Sequence, residues 1–154
     1  ARDLQRKIGA EKDPAKKTKL EAELQEIIAA REKSQKALLT DHPKTLIANM
    51  VAATMQSKPP AGLDQMQTYN FYRNEFWKKY DWSDERLIRT PILKDKLEFW
   101  TEKLTFPAPD SVIKSVDFVL DKALKGGNDQ MFRYVAAEYL NKYAKSKIIC
   151  MDAV

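Results

Sequence analysis

Seven of the fourteen residues from Tyr69 to Trp82 are aromatic, and they make up nearly half of the chain's fifteen aromatics. Side chains of this kind bury roughly 150–250 Å² each, so a segment this rich in them organises whatever core the chain builds. Tyr69, Tyr72, Phe76 and Tyr80 follow one another at i, i+3, i+7 and i+11. That spacing predicts a helix with a core-facing stripe. Phe71 falls on the opposite side, beside Glu75 and Lys78, as an outward aromatic on a polar face.

The rest of the chain repeats the same period between proline and glycine breaks. Asp13-Pro14 reads as an N-cap followed by proline at the first helical position, where its missing N–H costs nothing. Leu20, Leu24, Ile27, Ile28, Leu38 and Leu39 then predict an arm of about 26 residues, roughly 40 Å long. Arg31, Ser34 and Gln35 interrupt its apolar stripe, and Leu4 to Ala10 predicts a short helix folding back on it. Asp41-His42-Pro43 restarts the pattern, with Leu46, Ile47, Met50, Val51, Thr54 and Met55 on one side. Ser57-Lys58-Pro59-Pro60-Ala61-Gly62 is the clearest loop and the expected boundary. It divides an N-terminal helical arm with its connecting helix, 1–56, from a main helical body, 63–154.

Within that body, Leu93, Leu97, Trp100 and Leu104 mark one helix face and Val112, Val116, Val119, Leu120 and Ala123 a second. Met131, Phe132, Val135, Tyr139 and Tyr143 mark a third. Thr90-Pro91 and Asp110 are expected to open two of these helices, Gly126-Gly127 to stop one and Asn128 to cap the last. The apolar tail, Ile148 to Val154, reads as the opening of an element cut short. No alternation of period two stands out, and the expected fold class is all-α: an antiparallel helical bundle or a short superhelical stack, with an N-terminal helical arm.

Composition limits function more by exclusion than by suggestion. Charged residues are 32% and apolar ones 44% of the chain, an ordinary balance for a folded domain. No apolar run approaches the roughly 18 residues of a membrane span, so no membrane span is expected. Ala1-Arg2-Asp3 opens straight into charged helix without a secretory signal, which reads as a trimmed piece of a longer protein. The net charge of +5 lies almost wholly on the arm. Residues 1–58 hold 12 basic and 8 acidic side chains, whereas 59–154 hold 15 and 14. A nucleic-acid reader concentrates its cations around its aromatics, and here they are elsewhere, so no nucleic-acid partner is expected.

Each candidate for chemistry has a plainer structural reading. His42, the one histidine, reads as a helix-boundary residue, because zinc takes three or four ligands. Cys150, the one cysteine, reads as a small buried hydrophobe between Ile149 and Met151. Asp81, Asp84 and Glu85 with Arg86 and Arg89 are dense enough for an acidic metal or acid–base site. They also fall in the order of a capped short helix, with Ser83 as N-cap, and that reading is preferred. Tyr72-Arg73 and Trp77-Lys78-Lys79 resemble a base-stacking surface, but core packing accounts for the same rings. No catalytic, cofactor-binding or metal-binding residue is assigned. Phe71, Ile149 and Met151 remain as an expected interaction surface.

Asn70-Phe71-Tyr72-Arg73-Asn74-Glu75-Phe76-Trp77 and then Asp81-Trp82-Ser83-Asp84-Glu85-Arg86-Leu87-Ile88-Arg89-Thr90-Pro91-Ile92-Leu93 resemble a helical domain of unknown function found in exported proteins of Bacteroidetes-type bacteria. Leu97, Pro109-Asp110-Ser111, Lys142-Tyr143, Ser146-Lys147-Ile148 and Met151-Asp152-Ala153-Val154 extend the likeness over most of 43–154, and the arm is similar in kind. In such proteins the domain precedes a thioredoxin-like module of the TlpA or peroxiredoxin type that carries a Cys-x-x-Cys. The resemblance implies a place in the cell envelope, periplasmic or lipid-anchored. It also implies a non-catalytic accessory role, with the thioredoxin-like module of the same parent chain, or its client protein, as partner. With one cysteine, the chain lacks the Cys-x-x-Cys itself, so no catalytic residue of the family carries over. The alternative is a freestanding helical protein-interaction module of superhelical type.

Overall fold

The computed structural model describes residues 2–11 and 13–145, and every regular element among them is helical. Seven α-helices follow in order: α1 (Arg2–Ala10), α2 (Pro14–Asp41), α3 (Leu46–Thr54), α4 (Gln65–Glu75), α5 (Pro91–Lys103), α6 (Pro109–Lys125) and α7 (Asp129–Tyr143). One 3₁₀ helix, Glu85–Arg89, lies between α4 and α5. The chain separates into two compact units, Ala1–Pro43 and Lys44–Val154.

In the first unit α1 packs on α2. Asp13 caps α2 as expected, its carboxylate accepting the Ala15 N–H at 3.0 Å, with Pro14 in the first turn. Across its 28 residues α2 buries no side chain fully, and Ile27 is exposed.

The second unit begins earlier than the Pro59-Pro60 loop suggests. Ala48 and Ala53 of α3 are buried, and α3 packs against α5 and the 3₁₀ helix, so α3 belongs to the body rather than to the arm. Small residues face inward there because two alanines let backbones approach closely. Ile47, expected on the inner side, is exposed instead.

The aromatic segment also departs from its expected course. Helix α4 opens with a capping box in which Asp64 accepts the Gln67 N–H and Gln67 accepts the Asp64 N–H. It stops at Glu75, well short of Tyr80, and turns such as Lys78 N–H to Glu75 O at 3.1 Å carry the chain onward. The reason is geometric. Residues 77 and 82 lie five positions apart, on different faces of a continuous helix, yet both tryptophans are buried. Breaking the helix brings Trp77, Tyr80 and Trp82 together, with ring centroids 4.7 to 5.6 Å apart. Tyr72, placed by spacing on the inner stripe, is exposed, and the stripe of α4 runs instead through Tyr69 and Arg73.

Helices α5, α6 and α7 keep the faces their spacing predicts. Leu93, Leu97, Trp100, Val116, Val119, Ala123, Met131 and Val135 are all nearly inaccessible and form one core with the aromatic segment. The cap of α6 is Ala108 rather than Asp110, which sits in the first turn beside Pro109 and complements the positive helix end. Asn128 caps α7 as expected, accepting the Met131 N–H at 3.0 Å.

Gly126-Gly127 joins α6 to α7, and the two glycines serve different needs. Gly127 adopts φ 73°, the left-handed region. Gly126 is ordinary in φ, but a Cβ there would lie 2.6 Å from the Trp82 Cβ and 2.8 Å from its carbonyl oxygen. Gly126→Ala is therefore expected to force Trp82 outward and cost about 1–3 kcal/mol, read as a lower urea midpoint. Gly9→Ala, with open space around it in α1, is the control and should be neutral or stabilising.

Candidate functional site

Two polar clusters and one groove stand out in the second unit. In the first cluster Asp84 is 9% exposed and caps the 3₁₀ helix, accepting the Arg86 N–H at 3.1 Å. The cap is thus Asp84 rather than Ser83, whose own N–H goes to Asp81. Arg86 forks onto both Asp84 oxygens at 2.7 and 2.8 Å, and Asn49 of α3 donates to Asp84 at 2.6 Å. Arg86 also donates to the Lys44 carbonyl at 3.2 Å. The guanidinium hydrogen bonds are the main cause that holds the Asp84 carboxyl down to about 2. This carboxylate ties the start of α3 to the 3₁₀ helix. Asp81 and Asp84 share the Asn49 amide as donor, at 3.4 and 2.6 Å, but among the described residues no group of three His, Cys, Asp or Glu side chains is placed to hold a metal ion.

In the second cluster the Arg73 guanidinium crosses from α4 to α6, donating to Ser115 Oγ at 2.8 Å and lying 4.3 Å over the Trp100 ring. The Thr105 hydroxyl donates to the Trp100 carbonyl at 2.8 Å and is hydrogen-bonded to the Ser115 hydroxyl at 3.0 Å. The Trp100 indole N–H donates to the Ser115 carbonyl at 3.0 Å, and Tyr69 donates to the Leu104 carbonyl at 2.8 Å. Long side chains, rather than close helix contact, thus fasten α4 to the body.

A cavity of about 470 Å³ remains between three walls. Tyr72, Glu75 and Phe76 come from the end of α4, and Ile92, Asp95, Lys96 and Phe99 from one face of α5. The third wall is the end of α3 and its exit, Ala53 to Ser57. The lining is mostly carbon, and Tyr72 and Phe99 show it partly exposed rings. Phe76 stacks on Phe99 with centroids 5.7 Å apart.

Among the described residues, Lys96 is the one cation of this lining. Its ammonium lies 3.8 Å over the Phe76 ring and donates to the Phe76 carbonyl at 2.8 Å. That carbonyl is available because α4 ends there, and helix ends leave carbonyls without intrahelical partners. The negative end of the helix favours a cation at the same place. Burial nevertheless lowers the Lys96 ammonium from 10.5 to about 8. Glu75, by contrast, is already engaged: Lys78 and Ser57 donate to its two oxygens. Those contacts, Lys78 first, hold its carboxyl below the ordinary range.

Of the residues expected to form an interaction surface, Phe71 is half-buried and meets Tyr72 edge-on at 5.9 Å, so the more exposed ring is its neighbour. Ile149 and Met151, like Cys150, lie outside the described residues. His42 closes α2, its N–H donating to the Leu38 carbonyl at 3.0 Å. Lys96 was not singled out by the sequence because Leu93, Leu97 and Trp100 claim the inner face of α5. Its signal was the neighbouring stripe of Ile92, Lys96 and Phe99, half apolar with a lysine at its centre.

The second unit is thus an all-α body with a mostly apolar, three-walled groove. Residues 17–154 match the family described as a domain of unknown function (DUF5106), and the chain belongs to that family. The match takes in nearly all of α2 as well as the body. No curated protein and no solved structure matches the chain. No described helix is long and apolar enough to cross a membrane.

Two measurements check this geometry. Asp84→Ala is expected to cost about 2–3 kcal/mol at neutral pH, the range for charge-assisted hydrogen bonds. The Asp84 carboxyl is lower in the folded chain, about 2 against 3.8, so its contribution is full above 3.8 and fades as pH falls towards 2. Urea unfolding at both ends of that window should show the variant and wild type converging in acid. For Lys96, the NMR titration of its side chain should have a midpoint near 8 rather than 10.5. Between those values the unfolded chain binds the extra proton, so this lysine makes stability rise with pH.

Proposed function

We propose that this chain is a non-catalytic helical accessory domain of a larger exported thiol-disulfide oxidoreductase. Its groove receives a polypeptide segment of the thioredoxin-like module, or of that module's client. The observation that carries this reading is the groove of about 470 Å³ with Tyr72 and Phe99 partly exposed on its walls. Pockets of this size and apolar lining are ordinary binding sites. Support also comes from where the family-like motifs lie. The stretch 70–77 supplies Tyr72, Glu75 and Phe76, and the stretch 81–93 supplies Ile92, so the most distinctive sequence builds one of the three walls and the start of a second. The resemblance implies, for such a parent protein, the cell envelope.

The alternative, a freestanding helical interaction module, draws on the same exposed rings and differs in its partner. Site-specific cross-linking separates the two. A benzophenone side chain at Phe99, introduced in the full-length parent protein in its own cells, should join a peptide of a Cys-x-x-Cys-bearing module or of its client. The same probe at Leu140, exposed on α7 and absent from the groove lining, should not. Equal yields at both positions, or no adduct at Phe99, would sink the accessory reading. A Phe99 adduct only with proteins unconnected to a thioredoxin-like module would favour the freestanding one.

A further inference from the structure

Resting on that reading of the groove, we infer that its occupant carries a carboxylate beside a bulky apolar side chain, and that Lys96 is the residue that selects it. An ammonium has three N–H donors. One of those on Lys96 goes to the Phe76 carbonyl at 2.8 Å, and the Phe76 ring covers one side of the cation at 3.8 Å. Neither contact neutralises the charge, and no carboxylate lies within 4.0 Å of it among the described residues.

The two acids of the same lining do not fill that role. Glu75 on α4 is held by Lys78 and Ser57, one on each oxygen. Asp95 stands next to Lys96 in sequence, on the exposed side of α5. Lys96 therefore keeps an uncompensated charge in a mostly carbon-lined space, with the Phe76 and Trp77 rings 3.8 and 5.0 Å from its ammonium. Hydrogen bonds to an ionised partner are about twice as strong as neutral ones, so a carboxylate entering here is favoured strongly over an amide of the same shape. The stacked Phe76 and Phe99 rings, 5.7 Å apart, and the exposed Tyr72 edge offer the apolar side chain its contact. A chain terminus ending in Phe or Leu, with its free carboxylate, has this chemistry.

The test uses two acetylated peptides ending in Leu-Phe, one with a free carboxylate and one amidated, titrated against the full chain. Emission of Trp77 and Trp100, which flank Phe76, reports binding. The acid peptide is expected to bind at least about tenfold more tightly than the amide, a difference of about 1.4 kcal/mol. Lys96→Met should abolish that preference, so that the acid and the amide then bind equally. A second readout does not depend on a variant. Saturation with the acid peptide should raise the Lys96 NMR midpoint, with Glu75 and Asp95, the other charged groups of the lining, followed in the same spectra. Equal affinity for the two peptides, a preference that survives Lys96→Met, or an unmoved midpoint overturns the inference. So does the absence of saturable binding by both. Each of these outcomes leaves the cross-link from Phe99 to stand or fall separately.

Discussion

The body depends on the burial of Trp100. It is 2% exposed, and rings from two other segments close on it: Phe76 stacks at 5.8 Å, its neighbour Trp77 meets it at 6.1 Å and Phe118 of α6 stacks at 5.5 Å. Its indole N–H has a carbonyl partner, and Arg73 lies over its face. An indole so placed joins hydrophobic area to a satisfied polar tip, which fixes one orientation rather than several. Other rings in the core are less well provided for. The Trp77 and Trp82 indole N–H groups and the Tyr139 hydroxyl are buried with no hydrogen-bond partner among the described residues. Each such group costs about 1–3 kcal/mol, so the apolar bodies of these side chains outweigh their polar tips.

The same packing explains which parts of the structure were legible in the sequence. Helices α5, α6 and α7 bury single uninterrupted stripes, and spacing alone located Leu93, Val119 and Val135 on the inner faces. Caps made by a side chain next to proline or an apolar run, at Asp13 and Asn128, were also readable. The aromatic segment was not, because period analysis assumes that one helix continues. Three buried rings at 77, 80 and 82 cannot share a helix face, and only the tertiary demand to bury all three reveals the break after Glu75. Position 73 shows the same limit. An arginine on a core stripe reads as an interruption until Ser115, forty-two residues later, supplies the hydroxyl that accepts from it.

The groove was invisible for a related reason. Its walls come from three segments that are distant in sequence, and Lys96 takes its meaning from the carbonyl of a residue twenty positions earlier. Hydrophobic patterning assigns a lysine at that position to solvent. The coordinates place it against an aromatic face at the end of another helix, where local electrostatics favour a cation and burial opposes one. The balance leaves an ammonium near 8 that is more responsive to a new neighbour than a surface lysine would be.

Helix α2 shows the opposite economy. Its 28 residues contribute no fully buried side chain, so little tertiary packing adds to its own backbone bonds. Helical segments of that kind open by fraying and local melting, at a free-energy cost far below that of unfolding a packed body. Cleavage by a dilute protease would accordingly begin in the first unit, and the fragment from Lys44 onward would outlast it with its aromatic core still closed.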